Sequence, residues 1–295
     1  MDVSIIIVSY NTKELTLKAI ESVVNTIKNI SYEVFIVDNA STDGSIEAIE
    51  KICNKNIKLI CNKENLGFSA ANNIAIRKAV GRYILLLNSD TIVKPDAIEM
   101  SIKYMDKDKE KAIGALGCKV VLRDGTLDKA CKRGFPTPWN SLTYFLKLDK
   151  LFPSNKKFGG YHLTYIKDND IAEVDCVMGA FMLLRKETIE DVGLLDEAFF
   201  MYGEDVDWCY RIKKAGWKIM YYPKAEIIHY KKASSAKKGS KTIKEFYKSM
   251  HIFYNKNFSD KYNIIIKILV YLGVEVQLFL ALFKNLIKAN KSIKD

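Results

Sequence analysis

The chain has 295 residues, 48% of them hydrophobic and 11% aromatic, and a formal net charge of +11. That length and composition support a sizeable core and exclude a disordered chain. The basic balance suits an anionic partner, yet no Lys/Arg stripe alternates with aromatic residues as in nucleic-acid readers, so nucleic acid is not the expected one.

Six scattered cysteines, Cys53, Cys61, Cys118, Cys131, Cys176 and Cys209, form no C-x-x-C pair. They read as reduced thiols in a cytosolic protein. The chain opens directly on the β-rich run Val3–Ser9, without a basic-then-apolar signal, so a cytoplasmic body is expected. After Tyr10-Asn11-Thr12, apolar residues from Leu15 to Val24 recur at helical spacing. Tyr32–Asp38 repeats the design as a second strand ending in a carboxylate, followed by the turn-rich Asn39–Gly44 and a helix through about Cys53. Ile57–Cys61 is a short third strand, Asn62–Phe68 a polar loop and Ser69–Ala79 a small-residue helix.

Tyr83–Leu87 then reads as a strand buried on both faces, with Asn88, Ser89 and Asp90 at its carboxyl end. Strands alternating with helices imply right-handed crossovers and a mostly parallel sheet, which binds ligands at the carboxyl ends of its strands. Neither G-x-G-x-x-G after the first strand nor G-x-x-x-x-G-K-[ST] is present, so a dinucleotide fold and a P-loop phosphotransferase are excluded. What remains is a nucleotide held by strand-end carboxylates.

A helix is expected from Pro95 to about Asp106, then a strand from Ile113 to Leu122 that turns at Arg123-Asp124-Gly125. From Lys132 to Asp170 the pattern dissolves into an irregular insertion, with a helix around Trp139–Leu148, suited to covering the crevice or shaping an acceptor pocket. Glu173–Arg185 reads as one strand interrupted at Gly179-Ala180. Thr188–Val192 and Glu204–Ala215 read as helices, the latter closed by Gly216. Trp217–Tyr222 and Ala225–Tyr230 read as two further strands, the second carrying His229.

Each polar candidate has a plain structural alternative. Asp38, an acceptor-only carboxylate at a strand tip, suits the imide N–H of a uracil or thymine, or else opens the Asn39–Gly44 loop as an Asx turn. Asp90 suits a hard divalent cation that in turn holds a diphosphate; the alternative is a polar turn before a helix capped near Asp96. Glu204 and Asp205 complement the positive end of a helix dipole, or repulsion among Glu204, Asp205 and Asp207 raises one of them towards a general base's range. His229 is either a satisfied core histidine or a ligand for Mn²⁺ or Mg²⁺.

The ordered segments Ser4–Asn11, Val37–Gly44, Asn65–Phe68, Ala71–Asn73, Leu87–Asp90, Gly193–Asp196, Phe200–Trp208, Lys213 with Ala215–Trp217, and Ile228-His229 resemble the family 2 glycosyltransferases, and in particular rhamnosyltransferase-like enzymes of bacterial surface polysaccharide assembly. The resemblance covers about residues 3 to 232. It implies the inverting GT-A α/β fold, a mostly parallel sheet flanked by helices, over 1–232, with a nucleotide-binding half to about 125, an acceptor-side half from about 126, and a helical extension over 233–295. By the same resemblance Asp38 contacts the base, and Ser9, Tyr10, Asn11, Asn65, Gly67, Asn72, Asn88, Ser89 and Asp90 line the donor site. Asp90 is the last acid of the D-x-D metal motif. Asn88 occupies its first position, so coordination by Asn88 stays open. His229 matches a third metal-site ligand of some members, with Mg²⁺ or Mn²⁺ as the cofactor. Asp205 falls at the catalytic base, with Glu204 as the alternative.

The implied donor is a dTDP or UDP sugar, with dTDP-rhamnose as the best reading, and the implied acceptor a glycan or lipid-linked glycan. A non-catalytic nucleotide-sugar-binding or scaffold protein on the same fold is the alternative. Ile264–Phe283 is apolar enough to cross a bilayer, but Glu275 near its centre argues against a simple span. With basic Ser234–Lys248 before it and Lys284, Lys288, Lys291 and Lys294 after it, the expectation is a peripheral anchor on the anionic inner face of the cytoplasmic membrane. No oligomeric state follows from the sequence; a homodimer is compatible with it.

Overall fold

The computed structural model describes residues 1–108, 111–231 and 239–291. The expected boundary at 232/233, part of the basic 234–248 stretch, Lys294, and the side chains of Lys288 and Lys291 lie outside what is described. Strands β1 (Val3–Ser9), β2 (Tyr32–Asp38), β3 (Ile57–Cys61) and β4 (Tyr83–Asn88) alternate with helices α1 (Lys13–Thr26), α2 (Ser45–Glu50) and α3 (Gly67–Ile76). Next come β5 (Thr91–Val93), α4 (Ala97–Asp106) and β6 (Ile113–Leu122), then α5 (Pro138–Phe145) and α6 (Leu148–Leu151) in the insertion. The body closes with β7 (Ala172–Glu173), β8 (Phe181–Arg185), α7 (Lys186–Val192), α8 (Glu204–Lys214) and β9 (Lys218–His229), and α9 (Ser240–Asn257) and α10 (Ile264–Lys291) follow.

The nine strands form one sheet in the order β3-β2-β1-β4-β8-β6-β9-β5, with β7 also on β9. β1, β2, β3 and β4 pair in parallel, as do β6 and β9, while β8, β5 and β7 run the opposite way. Val3, Ile5, Ile6 and Ile7 are wholly buried, as are Leu85 and its neighbours in β4. This is the composition that a strand covered by helices on both faces requires. Ser9 is opposite Asp38 and Val8 opposite Asn88, so three strand tips end level with one another. Order 3-2-1-4 puts the switch in winding direction between β1 and β4, where a crevice opens.

Several elements differ from the sequence reading. Glu173–Arg185 is not one strand: β7 pairs with β9 at the sheet's edge, Cys176 bridges Arg133, and only Phe181 onward enters the sheet between β4 and β6. Trp217–Tyr222 and Ala225–Tyr230 are one strand, β9. It stays continuous because Tyr222 pairs with Cys118 and Glu226 with Lys119, so Pro223, which has no N–H to donate, falls in the register shift between them. α2 and α3 end about three residues before their expected ends, and β5 was not anticipated.

α9 packs on the body rather than standing apart. Phe253, Tyr254 and Phe258 are buried in the main core, and Lys256 pairs with both Asp196 and the wholly buried Asp207 on α8. Gly203, at the start of α8, leaves room for Ser249: an added Cβ would lie 3.2 Å from its side chain. α10 rests on α9 through Tyr271 against His251 and a 2.9 Å contact between His251 Nε2 and Glu275 Oε1. Otherwise α10 is exposed, with 6% of its most apolar window buried.

Candidate active site

The loops after β1 and β2 are latched together. The Asn11 side chain accepts from the Thr42 N–H at 2.7 Å, its own N–H donates to Ser41 Oγ, and the Lys13 N–H donates to Asp43. Asp38, wholly buried, accepts the Ser41 N–H on Oδ1 at 2.7 Å, while Oδ2 is buried with no hydrogen-bond partner among the described residues. The turn-forming role and an acceptor left over for a ligand N–H therefore coexist on one carboxylate. Ser9 Oγ is engaged with Thr16, and Tyr10 stands about half exposed at the rim.

On the other side of the crevice, Asn65 Oδ1 accepts the Gly67 N–H, and Asn72 turns its amide back to the Phe68 carbonyl within α3. Gly67 has φ +83°, and a Cβ there would sit 2.4 Å from the Phe200 carbonyl. A left-handed backbone and a contact no side chain tolerates thus fall on one residue. Gly67→Ala is expected to cost about 2–4 kcal/mol, from the αL penalty plus overpacking, and thermal unfolding would measure it.

These contacts join the site's two halves. Asn39 donates to the Gly67 carbonyl, and the Phe68 N–H donates to Phe200, which leads through Gly203 into Glu204 and Asp205. The loop below Asp38 is thereby tied to the loop above the acids.

Asn88 ends β4, and Ser89 and Asp90 follow it. The chain turns there into β5, which pairs Thr91 with His229 on β9. That ladder brings Asp90 Oδ1 to 3.1 Å from His229 Nε2, and Asn88 Nδ2 lies 3.5 Å from the same nitrogen. Ser89 Oγ is within 3.2 Å of Thr12. Behind the ring, His229 Nδ1 faces Asp128 Oδ2 at 3.6 Å, and Lys231 reaches that carboxylate at 2.7 Å. Burial alone would lower the His229 pKa, but the nearby carboxylates of Asp128 and Asp90 outweigh it and raise the imidazole above its usual value. Burial would raise Asp128, but His229 and Lys231 hold it well below the carboxylate range.

Among the described residues, no three His, Cys, Asp or Glu side chains form a metal-holding group. Asp90 and His229 nevertheless fit a two-ligand site. Mg²⁺ and Mn²⁺ are commonly held by one or two protein ligands with the remaining positions taken by phosphates and water. A carboxylate behind the ligating imidazole, as Asp128 stands here, is the usual support that fixes ring and tautomer.

The three acids that open α8 have separate fates. Asp207 is neutralised by Arg211 and Lys256. Asp205 is held by Arg133, whose Nη2 donates to Oδ2 at 2.6 Å, while Oδ1 accepts the Val206 N–H. Among the described residues no cation forms an ion pair with Glu204, and burial followed by repulsion from Asp205 pushes it up to about 8. The acid whose pKa is raised is thus Glu204.

A folded-state pKa above the unfolded value means the folded chain loses stability as pH rises towards 8 and Glu204 must ionise in place. Glu204→Gln is therefore expected to melt several degrees higher than the parent at pH 9, with the gap closing towards pH 5. A gap independent of pH would contradict this.

Sequence reading did not single out Asp128 or Arg133. They lie five positions apart on one segment beyond β6, which passes from His229 to Asp205. Five residues span at most about 18 Å, so this segment limits the distance between the two groups. Another polar cleft, lined by Arg82, Asp106, Asp108 and Arg185, opens at the amino end of β4, and its charges are consumed in mutual pairs.

Comparison with known proteins agrees with this geometry. The sequence model of "Glycosyltransferase like family 2" matches residues 1–246. The chain is 30% identical over 239 residues to the rhamnosyltransferase WbbL of Escherichia coli K12, covering 77% of this chain and 83% of that protein. It is 27% identical over 231 residues to an N-acetylglucosaminyl-diphospho-decaprenol L-rhamnosyltransferase of Mycobacterium tuberculosis, covering 75% and 73%. Among solved structures, GalNAc-T7 with UDP, GalNAc and Mn²⁺ superposes with a TM-score of 0.62 at 16% identity, over 86% of this chain and 48% of that one. Staphylococcus aureus TarS 1–349 in complex with UDP-GlcNAc gives 0.59 at 18% identity, over 85% and 65%. The extent of the family match and the shared sheet together make the chain a member of glycosyltransferase family 2, a transferase of GT-A fold that resembles the rhamnosyltransferases.

Proposed function

We propose that the protein moves a sugar from a nucleoside diphosphate donor to a hydroxyl of a glycan or lipid-linked glycan, inverting the anomeric centre, with rhamnose from dTDP-rhamnose as the donor. The observation that carries this reading is the part-buried, Arg133-braced carboxylate of Asp205, tied through Phe200 and Gly67 to a strand-tip crevice bearing Asp38, Asn88 and Asp90.

In this mechanism the free Oδ2 of Asp38 accepts the imide N–H of the pyrimidine, and the backbone beyond Ser9 and Tyr10 lines the same pocket. Asp90 and His229 would hold a divalent cation, with Asp128 behind the ring. Such a cation, when bound, neutralises charge on the leaving diphosphate as a Lewis acid. Asp205 takes the proton of the attacking hydroxyl, and Arg133 holds the carboxylate in one orientation while it does so. A single displacement needs one base and no enzyme nucleophile, unlike the paired carboxylates of retaining glycosidases.

The donor rests on the two named rhamnosyltransferases, and the lipid-linked acceptor on the decaprenol in the name of the mycobacterial relative. A lipid-linked acceptor also gives α10 a purpose. We read α10 as lying on the anionic inner leaflet, because its apolar surface is exposed while Glu275 is engaged by His251 at one side. Release of nucleoside diphosphate from a panel of dTDP and UDP sugars, with Mn²⁺, Mg²⁺ or a chelator, tests the reading. The highest rate is expected with dTDP-rhamnose and a cation. Binding without turnover of any donor, with acceptor lipid supplied, would favour the scaffold alternative.

A further inference from the structure

Within the Lys132–Asp170 insertion, residues 134–166 present an outward surface that the proposed transfer chemistry does not use. On α5, α6 and the turn after them, Trp139, Leu142, Phe145, Leu146, Leu151 and Phe152 are each between 41% and 68% exposed. They are not loose. The Trp139 indole N–H donates to the Lys157 carbonyl at 2.8 Å, and its ring and that of Phe152 both flank Phe158. Thr137 caps α5 by accepting the Asn140 N–H, so the apolar side chains project from an ordered turn of helix.

The charges between them have one sign. Lys147, Lys150, Lys156 and Lys157 are exposed, and the one acid within residues 134–166, Asp149, is buried. Exposed aromatic and aliphatic side chains interleaved with lysines, with no exposed acid, match an anionic lipid interface. There the rings enter the headgroup boundary and the ammonium groups meet phosphates. A protein partner of ordinary composition would not demand this one-sided charge.

The location is consistent with that occupant. The insertion begins at Arg133, the residue on Asp205. Tyr144 on α5 lies close enough to Tyr247 on α9 that, after burial, it helps raise the Tyr247 phenol. α9 in turn carries α10. We infer that α5–α6 is a second membrane-contact element that acts with α10 to seat the acceptor side of the crevice against an anionic bilayer. It extends the seating proposed for α10, and its test separates the two.

The full chain is mixed with phosphatidylcholine vesicles with and without phosphatidylglycerol, and with brominated acyl chains as a quencher. Trp208 is wholly buried and Trp217 is tied to Asp191, so Trp139 is the indole placed to report contact. Anionic vesicles are expected to shift emission to the blue and bromolipids to quench it. Trp139→Phe should abolish the quenching while leaving vesicle binding in place. Lys147→Glu with Lys150→Glu should weaken partitioning at least about fivefold and leave donor hydrolysis unchanged.

Vesicle binding with Trp139 unquenched would overturn the inference and leave α10 as the sole anchor. Concentration-dependent dimerisation that buries Trp139 without lipid would assign the patch to a second copy and also overturn it. Absence of vesicle binding would remove both membrane readings, with donor hydrolysis still testing the transferase independently.

Discussion

Asp205→Asn is expected to lower sugar transfer by about 10²–10⁴-fold with little change in donor affinity, the signature of a lost general base. Asparagine keeps the shape of the side chain at the start of α8 and its one carbonyl oxygen can still accept from Arg133 or from the Val206 N–H, so the side chain should keep its place with one of the two bonds lost. What it cannot do is take up the proton of the acceptor hydroxyl. Glu204→Gln is the necessary companion, since Glu204 is the neighbour whose pKa is raised to about 8. If the role belongs to Asp205, Glu204→Gln should cost no more than about tenfold in turnover. A loss confined to Glu204→Gln would transfer the role to Glu204, and full activity in both would remove a carboxylate base from the mechanism. Single-turnover measurement against donor titration separates the chemical step from binding.

The second large effect is expected at the proposed cation site. Asp90→Ala should abolish cation-stimulated donor binding, because it removes the one carboxylate at the tip of β4 that meets His229. Asp128→Asn should act less strongly and through the ring. Loss of a carboxylate behind a ligating imidazole weakens metal affinity by about 10–100-fold. Mn²⁺ binding followed by electron paramagnetic resonance, with and without nucleoside diphosphate, reads both variants without relying on turnover. Unaltered Mn²⁺ affinity in Asp90→Ala would displace the cation from this site.

The contrast between what was legible and what was not follows from the range of the contacts. β1, β2 and β4 were readable because parallel strands buried on both faces are continuous apolar runs, and Asp38, Asn88 and Asp90 stand where those runs stop. β5 has three residues, too few to show a period, and it exists because β9 offers an edge more than a hundred residues later. Asp128 is disguised as a local cap: its Oδ1 accepts the Ala130 N–H, and the oxygen facing His229 becomes visible only when β6 and β9 are in register. Arg133 opens a stretch with no periodicity, and its partner is 72 positions away. The triplet of acids on α8 was legible as a cluster. How the cluster divides depends on Arg133 and on Lys256 from α9, neither of which a local reading can supply.

α9 stands against Gly203 and sends Lys256 to Asp207, one helical stretch from Asp205. A tidy truncation ahead of residue 240, the natural choice for anyone seeking a better-behaved protein, would strip the neighbouring helix of this buttress and expose the aromatic bed beneath Phe253 and Phe258. The polypeptide beyond the sheet is in this sense part of the frame of the candidate site, and a shortened version that keeps this buttress would have to stop between α9 and α10.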